Sequence, residues 1–82
     1  MKFDENIVKQ ALGFLEQDFE EFERYVLSSM RKYHFVFIPI PFKTFRWQSD
    51  IGASPQEDPA YSRTEALMQF YWLAKKHEEE EK

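Results

Sequence analysis

Cysteine is absent from the 82 residues of this chain. Disulfide frameworks, Cys-ligated zinc, iron–sulfur clusters and thiol nucleophiles are thereby excluded. Glycine is nearly as scarce, at Gly13 and Gly52 only, so no phosphate-cradling loop of the P-loop or dinucleotide type can be assembled. No apolar run approaches the roughly 20 residues that cross a bilayer, and the opening MKFDENIVKQ carries acids where a signal peptide carries basic and then apolar residues. A cytoplasmic protein without membrane contact is expected. The two histidines, His34 and His77, have neither a carboxylate three residues before them nor a second histidine four away, which removes the common helical metal-ligand spacings. No serine stands in G-x-S-x-G, and a Ser-His-acid hydrolase needs more than the chain supplies. No catalytic residue, metal or cofactor is expected. His77 followed by four glutamates could hold a divalent ion weakly, but a solvated charge run explains it as well.

The last scarcity is local. Residues 24–47 contain no acid, while Arg24, Arg31, Lys32, Lys43 and Arg46 fall within them. Residues 1–23 hold seven acids against two bases and 48–82 hold eight against four, so a net charge of −4 conceals a basic middle between acidic flanks. Those flanks oppose long-range attraction to phosphate, which argues against an ordinary basic nucleic-acid binder and leaves room for a local anion site.

Aromatic residues are abundant, with 9 Phe, 4 Tyr and 2 Trp. A domain of this size buries only about 60% of its unfolded surface, so some of these rings are expected near the exterior. Seven of them lie in the acid-free stretch: Tyr25, Tyr33, Phe35, Phe37, Phe42, Phe45 and Trp47.

Apolar residues recur at Val8, Leu12, Leu15, Phe19, Phe22, Val26, Met30 and Tyr33. The spacing of three and four predicts a helix over about 4–33, started by Asp4 or Asn6, with Gly13 a possible break. Residues 34–47 lose that period, are rich in β-branched and aromatic residues, and contain Pro39 and Pro41. They read as an extended segment or irregular β-hairpin, with the prolines favouring an edge strand. Residues 48–57 have the chemistry of a surface loop. A helix over about 59–77 follows, begun by Asp58-Pro59 or by Ser62 with Glu65 at capping-box spacing. Apolar nearly all round, it should be sandwiched, whereas the acidic tail 78–82 should fray because the helix dipole disfavours it. The expected fold is a single α+β domain with the C-terminal helix packed on the first. A mainly α arrangement with an extended arm is the alternative.

Two patches suggest a binding surface. Phe42, Lys43, Phe45, Arg46 and Trp47 combine cations with rings, and Phe42, Phe45 and Trp47 are expected to be shared between the core and a partner. Glu16, Glu20 and Glu23 fall on one helix face at i, i+4 and i+7 and could dock a basic partner. Little catalytic equipment, surplus rings and segregated charge together point to a non-enzymatic protein-binding module. It would act as a small regulator or inhibitor of a larger protein, of the kind carried by phages and mobile elements, and a homodimer is favoured over a monomer. The competing expectation is an anionic nucleotide or single-stranded nucleic acid bound by 24–47, with Arg63 and Thr64 contributing.

Overall fold

Asp4 begins the first helix, α1 (Glu5–Leu12). Its Oδ1 accepts from the backbone N–H groups of Asn6 at 3.0 Å and Ile7 at 3.3 Å, donors that have no partner inside the helix. The second helix, α2 (Phe19–Lys32), carries Glu20 and Glu21 in its first turn and Arg31 and Lys32 in its last, which suits the macrodipole at both ends. The computed structural model describes residues 3–12, 19–40 and 44–81. Gly13 and Leu15 lie outside them.

One straight helix over about 4–33 is not what forms. The Phe3 ring lies 5.0 Å from that of Phe22 and 6.5 Å from that of Phe19, whereas a single helix rising about 1.5 Å per residue would hold Phe3 and Phe22 about 28 Å apart. The chain therefore doubles back between α1 and α2. Both helices still bury the predicted stripe: Val8 on α1 and Phe22 and Val26 on α2 are buried, and Phe19 and Met30 pack against them. Each helix satisfies the same period on its own, so the period could not register the reversal.

At the end of α2 the Phe35 N–H donates to the Met30 carbonyl at 2.9 Å, and His34 between them sits at φ 54°. This is a Schellman-type stop, whose left-handed position usually holds glycine. Here His34 occupies it, and its Nδ1 lies 2.5 Å from Asp50 Oδ2. Asp50 N–H also donates to the Tyr33 carbonyl at 2.7 Å, fastening the turn to the strands that follow.

Those strands are β1 (Val36–Ile38), β2 (Arg46–Ser49) and β3 (Gly52–Ala53), antiparallel in that order. Phe37 is opposite Trp47, and Val36 and Ile38 are opposite Gln48 and Arg46. Pro39 follows the last residue of β1, an edge strand, as expected of a residue with no N–H to donate. The segment 34–47 thus contributes to a hairpin, and the fold is α+β. The surface loop expected over 48–57 is corrected: β2 continues to Ser49, and Gly52–Ala53 pairs with it across a two-residue turn. Gly52 has φ 151°, and a Cβ built there would lie 2.7 Å from Leu73 Cδ2. The turn chemistry was legible, but a two-residue strand is too short to show any alternation.

The third helix, α3 (Arg63–Glu80), starts at Ser62 rather than at Asp58-Pro59. Ser62 Oγ accepts from Glu65 N–H at 3.1 Å, and the Glu65 carboxylate accepts from Tyr61 N–H at 2.9 Å. The tail expected to fray is helical through Glu80. Lys76 with Glu80 at 4.0 Å and His77 with Glu81 at 2.9 Å supply i,i+4 partners that offset the unfavourable dipole. Helix α3 is sandwiched as its composition implies. On one side Tyr71 meets Phe22 at 4.8 Å and Tyr25 at 5.6 Å; on the other Phe70 meets Phe35 at 4.9 Å and Trp47 at 5.7 Å. Thr64 Oγ1 accepts from Asp4 N–H at 3.0 Å, tying the start of α1 to α3. Trp72 is the departure from the all-round burial, remaining 49% exposed.

Candidate functional site

Alternation along β2 divides the basic aromatic block. Trp47 points inward and is 1% exposed, with its Nε1 donating to Gln69 Oε1 at 3.0 Å. Gln69 in turn donates through Nε2 to the Asp58 carbonyl at 2.8 Å, so the indole is held inside a bonded chain. The expectation that Trp47 is shared with a partner is corrected: an antiparallel strand over a helix seals every second residue, and Trp47 is one of those. Phe45 is half-buried against Phe37, ring centres 6.5 Å apart, and its backbone N–H donates to Ala60 at 2.7 Å. Arg46 faces outward, and its Nη1 donates to the Pro55 carbonyl at 2.7 Å. Phe42, Lys43 and Glu16 lie outside the described residues. Glu20 is exposed and Glu23 half-buried on the first half of α2.

The open surface joins cations that the charge of the block singles out to apolar residues that it does not. On α2, Arg24, Leu27, Ser28 and Arg31 are all exposed and share one face at i, i+3, i+4 and i+7. They line a shallow depression together with Lys32, whose Nζ lies 5.2 Å from the Tyr33 ring centre. A neighbouring groove of about 430 Å³ joins Leu27, Met30 and Arg31 of α2 to His34, Phe35 and Val36. At the far end of β1 a pocket of about 240 Å³ is lined by Ile38, Pro39, Ile40, Phe45, Arg46 and Arg63. Leu27, Val36 and Ile38 are 38%, 48% and 37% exposed. A band of apolar side chains with arginines at both ends therefore lies along β1.

That band includes a backbone edge. β1 pairs with β2 on one side only, and among the described residues no strand covers its other side. No ion pair among the described residues engages Arg24, Arg31, Arg46 or Arg63; the nearby pair is His34 with Asp50. The sequence signal for this surface was phase. Leu27 is apolar one residue off the Val26 stripe, and Val36 and Ile38 are apolar on the opposite strand parity from Phe35 and Phe37.

The other side of α2 is closed. The Tyr25 hydroxyl is shielded from solvent, with the Glu78 carboxylate and Ser29 hydroxyl flanking it outside hydrogen-bond geometry. Burial, reinforced by Glu78, pushes its pKa up to about 12. Lys75 Nζ lies 4.3 Å from the same ring. Thr64, expected as a possible ligand contact, is buried beside Asp4.

Among the described residues no helix is long and apolar enough to cross a membrane, and no group of three or more His, Asp or Glu is placed to hold a metal ion. Comparison with protein-family models, curated proteins and solved structures found no match to this chain in any of the three.

Proposed function

We propose that this protein is a non-enzymatic protein-binding module, a small regulator or inhibitor that engages a larger protein through the face formed by α2 and β1. One observation carries this: an unpaired strand edge coincides with exposed Leu27, Val36 and Ile38, and arginines without ion pairs among the described residues stand at both ends. Apolar side chains ringed by cations give an interface both contact area and electrostatic selectivity. The acidic residues Glu16, Glu20 and Glu23 remain a second candidate for docking, on a basic partner. A homodimer would use the same strand edge.

Binding of single-stranded nucleic acid by 24–47 has less in its favour, because among the described residues the stacking rings it requires are withdrawn. Trp47, Tyr33 and Phe35 are buried, and Phe45 is half-buried.

Affinity capture with the full chain, followed by mass spectrometry, provides the test. A captured partner should be lost when Arg24, Arg31 and Arg46 are changed to Glu, and retained when Lys9 on α1 is changed to Glu. Retention by the triple variant with loss on Glu20→Gln and Glu23→Gln would move the surface to the acidic face. Retention by both variants would remove both surfaces.

A further inference from the structure

We propose that the occupant of this face is an extended acidic segment of a partner protein, which adds as a fourth strand beside β1. The proposal rests on the protein-binding reading above and specifies the chemistry of its ligand. Three features of the face converge on it.

The first is main-chain hydrogen bonding. β1 is the edge of the sheet, and its free side presents backbone N–H and C=O groups without a strand partner among the described residues. Such a row is a template for an added strand, with main-chain bonds giving affinity and neighbouring pockets giving selectivity. Pro39 stops the template immediately after Ile38, so the paired portion is short. Three strand residues span about 10 Å.

The second is the disposition of side chains. Val36 and Ile38 project from the face opposite Phe37, whose ring packs 5.1 Å from Phe35. An added strand would lay alternate side chains beside Val36 and Ile38. Its remaining side chains would reach towards the groove of Leu27, Met30 and Phe35 at one end of β1 and the Ile38, Pro39 and Ile40 pocket at the other. β-branched or aromatic residues suit those positions.

The third is charge. Arg31 lines the groove that holds Val36 at the α2 end of β1, with Arg24 two turns back on the same helix face, and Arg46 and Arg63 stand at the Pro39 end. Carboxylates flanking a short apolar core would complement both ends. A phosphate backbone would meet the same cations, but it leaves Leu27, Val36 and Ile38 and the strand edge unused. A second copy of β1 would bring apolar residues to the edge and the same arginines with them, placing like charges together.

The test is selection of a random peptide library of about nine residues on the full chain, followed by amide chemical-shift mapping with the selected peptides. Enrichment of Asp and Glu around alternating β-branched or aromatic residues is expected, with shifts at Val36, Phe37, Ile38, Leu27 and Arg31. N-methylation of alternate central amides, which leaves the side chains in place, should weaken binding by about tenfold or more in one of its two registers. Changing Arg24 and Arg31 to Glu, both on the exposed helix face and outside the core, should weaken binding by a similar factor, about tenfold, and favour Lys-flanked peptides. Peptides without acidic enrichment, shifts confined to other elements, or indifference to both N-methylated registers would each overturn the proposal. So would a dimer whose β1 amides shift with concentration, which would make a second copy the occupant, or salt-sensitive binding of oligonucleotides at the same amides. If these peptide results are negative while the Arg24, Arg31 and Arg46 variant still loses a captured protein, strand addition fails and the protein-binding reading survives.

Discussion

The two faces of the small sheet are built from the same short segments yet have opposite fates. Inward, Phe37 and Trp47 stand opposite each other, and the Trp47 ring meets Phe70 of α3. Outward, Ile38 and Arg46 stand opposite each other with no helix over them among the described residues. The difference comes from one covering helix and a two-residue alternation. It teaches that an aromatic, basic block should be divided by strand parity before any ring in it is assigned to a partner.

Removing a ring from the sealed face should have the largest effect. Trp47→Ala is expected to cost about 3–5 kcal/mol in denaturant unfolding, since it opens a cavity and strips Gln69 of its indole partner. Ile38→Thr on the open face should change stability by no more than about 0.5 kcal/mol. Equal losses would show that the outer face is as structural as the inner one.

Gly52→Ala sharpens the comparison where β3 approaches α3. A φ of 151° is strained for any residue with a Cβ, and the added atom would meet Leu73. The expected loss in thermal unfolding is about 1–3 kcal/mol, reduced if the Leu73 side chain swings aside.

Tyr25 compares the closed side of α2 with its open one. An unfolded tyrosine titrates near 10 and Tyr25 in the folded chain near 12. The folded state therefore holds the proton longer, and stability present below pH 10 falls as pH rises from about 10 to about 12. Because Tyr25 keeps some solvent contact, a loss of about 1–2 kcal/mol is expected. Tyr25→Phe should abolish that component in pH-dependent denaturation, whereas Arg24→Gln on the exposed side should leave it in place.

The smallest effect is expected at the joint between α2 and β1. His34→Gly relieves a left-handed residue while losing an exposed pair with Asp50. Thermal denaturation should show a net gain of up to about 1 kcal/mol, because exposed pairs contribute little. A loss would mean that the His34–Asp50 contact holds the end of α2 more firmly than an exposed pair does.

Much of the fold was legible from particular residues. Asp4 and Ser62 announced helix starts through side chains that accept backbone N–H groups, and Pro39 placed its strand at an edge. The reversal between α1 and α2 was not legible, because Val8 and Phe22 obey one helical period whether the helix is continuous or folded back. Nor was β3, whose pairing depends on Gly52 lying under Leu73, a contact between residues 21 positions apart. Of the surface patches, Arg46 was found through its charge and Arg63 through its position near a helix start. Leu27, Val36 and Ile38 were missed because an apolar residue in a sequence carries no mark of whether another element will cover it.

The amino-acid sequence by itself determined the local elements: helical stripes, capped starts, a strand cut short by proline, and a cationic stretch between acidic flanks. These follow from backbone sterics, hydrogen-bond donors left over at helix ends, and side-chain periodicity, which act over a few residues. Only the tertiary structure decided that the apolar stripe is split between α1 and α2, that Trp47 is sealed, and that one edge of β1 stays open beside Leu27. Those outcomes depend on how residues far apart in the chain compete to bury the same apolar surface.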